Sequence, residues 1–171
     1  MFSSKINLKN WYLMASEEQK KQNQLRLTSM ALTSLAQAVW ETLGESAFSY
    51  SGLMGDELLR VMEKEMGLEI AGHTPKEVIM EVSRIFVDEF GYASDIEVEG
   101  DDDTLITLKV RQCINRKFSD RLDAAGVEKP FICPIMNACQ AGLRRLGYKM
   151  REEVHKWHEG GGSIITFERV A

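Results

Sequence analysis

The stretch Asp95-Ile96-Glu97-Val98-Glu99-Gly100-Asp101-Asp102-Asp103-Thr104-Leu105-Ile106-Thr107-Leu108-Lys109-Val110-Arg111 decides the fold. Its apolar residues recur at every second position, on both sides of an acidic, turn-like centre. That is the pattern of an antiparallel hairpin with one buried face. Upstream the period is helical. Ser16-Glu17-Glu18-Gln19 forms a capping box, in which the serine oxygen and the glutamine side chain satisfy orphan backbone donors. A helix then runs to Leu43 with Leu25, Leu32, Leu35, Val39 and Leu43 on its stripe, and Gly44 ends it. A second helix is predicted from Asp56 to Gly67. A third follows the capping box Thr74-Pro75-Lys76-Glu77 and carries Val78, Ile79, Val82, Phe86 and Phe90 up to Gly91.

Downstream of the hairpin, short helices are predicted over 115–125 and from Pro134 to Leu146. A second hairpin, Tyr148–Trp157 and Ser163–Val170, turns at Gly160-Gly161-Gly162. The order ααα-ββ-αα-ββ is that of an α+β fold, with N-terminal helices packed on a four-stranded antiparallel sheet. Residues 1–44 read as an N-terminal segment plus a long helix, a candidate dimer arm. Residues 45–171 read as the α+β ligand-binding domain.

The chain has 171 residues, 44% of them hydrophobic and 27% charged, which excludes a disordered polymer. No apolar run approaches the roughly 20 residues of a membrane span, and no secretory leader is recognisable. Three cysteines are an odd number and do not suggest a secreted disulfide framework, so a reducing cytoplasm is expected. The net charge of −5 is segregated: +2 over residues 1–44, −12 over 45–103 and +5 over 104–171. Either two faces form a functional dipole, or the helices simply have acidic solvated faces. Nucleic acid is not an expected partner, because no basic stripe is interleaved with aromatics.

Most candidate chemistry falls in the basic half. Cys133 precedes Pro134 at a predicted helix start, where free N–H groups and the helix dipole favour a thiolate. Cys113 ends the second strand, and Cys139 faces the core side of the helix. Packing is the competing reading for all three. His155 and His158 flank Trp157 and could serve Cys133 as general base. Cys113, Cys133 and His155 would give soft ligands for zinc or iron, although no C-x-x-C pair is present. Arg144, Arg145, Lys149 and Arg151 form a basic patch suited to a carboxylate or phosphate. The acidic turn lacks the spacing of a calcium loop. The glycine run is not a phosphate loop, since a strand follows it. His73, just before a helix cap, reads as a loop residue.

From Ser46 onward these landmarks resemble the vinyl-4-reductase-like domains and related methanogen output domains. The carrying residues are Cys113 at a strand end and Cys133-Pro134 opening a helix with Ala138, Gly142 and Leu146-Gly147. Glu152 in the next strand, the glycine turn and Ile165-Thr166-Phe167 complete the match. The resemblance implies a small-molecule-binding module with helices beside an antiparallel sheet. Where that family often carries cysteines in its last two strands, His155 and Ile165 stand here. Cys113 and Cys133 are also similar to recurrent cysteines of the aminothiazoline-carboxylate hydrolase-like family, but Pro134-Ile135-Met136 replaces the acidic residue expected after the second.

Three functions follow as expectations. The first is a sensory or binding domain for an apolar or anionic small molecule, with Cys113, Cys133, Arg144, Arg145 and Trp157 around the ligand. It would act as a homodimer joined by the first helix, with Trp11 and Trp40 near its ends. The second is a cysteine-dependent hydrolase of a small carboxylate or amide, using Cys133 with His155 or His158. The third is an adaptor that binds partners through its segregated charge.

Overall fold

The computed structural model describes residues 15–101, 103–127 and 130–170. Trp11 and Asp102 lie outside the described residues. Helix α1 (Glu17–Leu43) starts at the expected capping box, with the Ser16 hydroxyl accepting from the Gln19 amide. A short 3-10 turn (Gly44–Phe48) then leads straight into α2 (Ser49–Lys64). The second helix thus begins well before Asp56. Serines and glycines between Ser46 and Gly55 make this segment look like a loop by local propensity. Packing overrides that preference: a Cβ placed on Gly55 would stand 2.2 Å from the Asn137 carbonyl oxygen, so glycine permits the close approach of two helices.

Helix α3 (Pro75–Arg84) is capped by Thr74 and continues as one π turn (Ile85–Glu89). Strands β1 (Asp95–Gly100) and β2 (Leu105–Arg111) form the first hairpin, with Val98 opposite Leu108. Helices α4 (Arg116–Ala124) and α5 (Pro134–Arg145) follow. Strands β3 (Met150–Trp157) and β4 (Gly162–Arg169) close the chain. The sheet is antiparallel with order β1-β2-β4-β3, so the second hairpin is spliced to the first through β2 and β4. The α+β architecture read from periodicity is the one observed.

Two hydrophobic clusters result. The larger joins α2, α3 and α5 to the sheet through Leu59, Ile79, Val82, Leu143, Ile106, Leu108, Ile165 and Phe167. All eight are completely buried, and each contributes roughly 1.5–3 kcal/mol relative to exposure. The smaller cluster joins α1 and α4 to the segment before α5, through Ala36, Ala47, Phe118, Leu122, Val127, Phe131 and Ile132. Trp40 stacks on Phe131 with centroids 6.3 Å apart, and Phe48 meets both rings edge-on.

The charge segregation has an internal explanation. Asp56 pairs with Arg144, Glu63 with Arg145, Glu99 with Lys109, and Asp103 with Arg169. Arg111 approaches both Asp95 and Glu97. The acidic middle of the chain therefore folds against its own basic second half.

Candidate functional site

A cavity of about 260 Å³ lies where the two clusters meet. Helix α4 roofs it with Phe118, Ser119 and Leu122, because an amphipathic turn places these three on one face. Its walls come from Tyr92, Ile132 and Val154, and from the two cysteines at the ends of regular elements.

Cys113 lies just past β2, beyond Gln112, which adopts a left-handed backbone (φ 47°). That turn is tied down by the Gln112 amide donating to the Gly160 carbonyl and the Ile114 amide donating to that of Tyr92. Cys133 is the N-cap of α5, as expected, with Pro134 in the first turn. The expected thiolate is not favoured. Burial pushes the Cys133 thiol up to about 11, although the amides of Met136 and Ile135 pull it down and a nearby Cys113 adds to the rise. Burial also raises Cys113, and it raises Tyr92 and the fully buried Cys139 further. At neutral pH the cavity therefore presents two protonated thiols and a neutral phenol.

An ionic clasp holds the roof. Lys156 of β3 pairs with Asp120 at 2.8 Å and also with Asp123, both on α4. Arg116, at the start of α4, pairs with Asp120 and donates to the Trp157 and Gly162 carbonyl oxygens. Lys156 holds Asp120 well below the usual carboxylate range.

The other expected site residues are placed differently. Arg144 donates to the Gly52 carbonyl and Asp56, and Arg145 to Glu63, so both clamp α5 to α2 and neither lines the cavity. Trp157 is enclosed by Arg111, whose guanidinium lies 4.4 Å from the ring centroid, and by Gly160, where a Cβ would meet the ring at 2.3 Å. It is a packing residue of the hairpin turn. His155 stands on the cavity rim with a side chain 70% exposed and Glu153 3.8 Å away. His158 places Nδ1 3.0 Å from an Arg116 nitrogen. Among the described residues no hydrogen bond joins either histidine to Cys133. Among them, too, no three His, Cys, Asp or Glu side chains gather to hold a metal ion, so Cys113, Cys133 and His155 are not brought together as ligands.

Sequence reading missed Tyr92, Arg116, Phe118, Ser119, Leu122 and Lys156. The helical spacing of Phe118 and Leu122 was a usable signal. The Lys156 clasp was not, because it joins residues 36 apart in sequence.

The fold and site define a class: an α+β domain with a small, partly open cavity between a main core and a helical cap. Residues 25–171 match the family described as "Putative rubredoxin C-terminal domain", and the chain belongs to that family. No curated protein matches it. The name raises the question of an iron site of the four-sulfur kind. Three cysteines are too few for tetrahedral ligation by four sulfurs, so this chain's own residues do not fit such a centre.

Proposed function

We propose that this chain is a small-molecule-binding or sensory domain whose ligand occupies the cavity beneath α4. The observation that carries this reading is the cavity's composition. Apolar walls from Tyr92, Phe118, Leu122, Ile132 and Val154 surround Asn115, Ser119, Ser163 and two protonated thiols, with Arg116, Asp123, His155 and Lys156 completing the lining. That is the usual make-up of a small-molecule pocket. The resemblance to vinyl-4-reductase-like domains agrees with it. Of the two ligand classes expected, the apolar one is favoured. The cations at the rim, Arg116 and Lys156, are already neutralised by Asp120 and Asp123, and Arg144 and Arg145 face α2. Binding would signal by shifting how α4 and α1 pack on the core. The reading includes a homodimer joined through α1 and a reducing cytoplasmic setting, which suits three free cysteines.

The test is the fluorescence of N-phenyl-naphthylamine, a neutral apolar dye, titrated with the reduced protein, alongside native mass spectrometry for a retained ligand. Saturable dye binding that weakens at least tenfold in Ser119→Trp, with the melting temperature kept, is the expected result. Dye binding unchanged by that substitution, or none at all together with no retained mass, would overturn the reading.

A further inference from the structure

A second cavity, of about 520 Å³, opens beside the first. Its walls include Phe48, Phe131 and Met136, and it runs along the outer side of β3, the edge strand of the sheet. Pro130, Val154 and His155 line both cavities. We infer that the two are one slot, and that it takes an elongated, neutral, apolar molecule reaching past Val154 to Phe48, Phe131 and Met136. The inference rests on the small-molecule reading and extends it to ligand shape.

Four observations lead there. The first cavity alone is smaller than the roughly 300–1,000 Å³ that drug-sized ligands occupy, so a molecule of ordinary size must leave it somewhere. The shared residues place the exit at Val154, whose side chain is only half-buried. Both cavities then follow the same boundary, between the main core and the helical cap. Met136 and Val154 belong to the core side, while Phe48 and Phe131 belong to the cap side. Finally, the charges along the second cavity have partners. Arg151 pairs with Glu168, Glu152 accepts from Gln140, and Glu153 lies 3.8 Å from His155 Nε2. The aromatic rings of Phe48 and Phe131 and the flexible thioether of Met136 make an apolar wall that suits a chain of methylenes rather than a second charged group. The polar end would stay in the first cavity, near Ser119 and Ser163.

The experiment is displacement of N-phenyl-naphthylamine by unbranched primary alcohols from butanol to dodecanol, with the full chain under reducing conditions. Burial of each further methylene corresponds to a gain of about fourfold in affinity. The expected result is a rise of that order continuing to decanol. In Met136→Trp, at a residue that lines only the second cavity, a bulky ring should leave butanol and pentanol unaffected and halt the rise at hexanol. A wild-type plateau at hexanol would overturn the extended slot while leaving the small-molecule reading intact. Failure of every alcohol to displace the dye would overturn the slot, and absence of dye binding would overturn the reading beneath it. A continued rise in Met136→Trp, with the variant's melting temperature unchanged, would also overturn the slot, because the chain would then not enter the second cavity.

Discussion

Helices α3 and α1 carry the same signature in sequence, a capping box followed by an apolar stripe, yet they end in opposite situations. On α3, Val78, Ile79 and Val82 are buried against α5 and the sheet. On α1, Leu25 and Leu35 are each 61% exposed, and only Thr33 and Ala36 are buried. The contrast extends to the regions they belong to. The main core is a layer of helices on a sheet, tightened where Gly55 and Gly142 let backbones and side chains approach. The cap built from α1, α4 and the 130–132 segment relies on a few aromatic rings and an ionic clasp. Interiors packed to crystal-like density leave no room for a ligand, whereas a boundary between two clusters does. Both cavities lie on that boundary.

The largest expected effect separates the two regions directly. Leu108→Ala, in the middle of β2, should cost about 4 kcal/mol in urea unfolding, because the surrounding core cannot collapse into the void. Leu122→Ala, on the cap side of a cavity that already exists, should cost about 2 kcal/mol and still bind the dye. Equal costs would mean that the cap is as tightly packed as the core, and the distinction would fail.

Next comes pH. Cys133 is an acid whose folded value, about 11, lies above its ordinary value of 9.0. The unfolded chain therefore loses this proton first. The stabilisation is fully present below the ordinary value and disappears as pH rises through the folded one. Wild type should lose roughly 2 kcal/mol between about pH 8.5 and 11 that Cys133→Ala does not lose. Its alkylation by iodoacetamide at pH 7 should be far slower than that of free cysteine, and fast alkylation would restore a reactive thiolate to the cavity.

The smallest effect concerns the clasp. Its charges are partly exposed, so Lys156→Met should change stability by about 1 kcal/mol or less. It should nevertheless speed dye association in stopped-flow measurements, and added salt should do the same to wild type but not to the variant. Association rates indifferent to both salt and substitution would show that α4 does not gate the cavity.

Much of this architecture was written locally. Alternation from Ile96 to Val110 sets the first hairpin, Thr74 with Glu77 sets the start of α3, and Cys133-Pro134 sets the start of α5. Each depends on neighbours within a few residues, where periodicity and capping act. The early start of α2 was not legible, because it depends on Gly55 meeting Asn137 in another helix. The site was only half legible. Both cysteines of the cavity could be picked out by their position at element ends, but not their protonation, which burial decides against the helix dipole. The surroundings of Arg144 and Arg145 against Asp56 and Glu63, and of Trp157 against Arg111 and Gly160, were not legible either, since their partners lie far off in sequence or across a turn.

Apart from the first turns of α2, the sequence by itself determined which segments become helix and strand, and which face of each is apolar, because those properties follow from local backbone preference and side-chain spacing. Only the tertiary structure decided which apolar faces are covered, which charges are spent on one another, and where two packed regions leave a cavity. These depend on contacts between distant residues, such as Lys156 with Asp120 and Asp123, whose free energy exists only once the chain has folded.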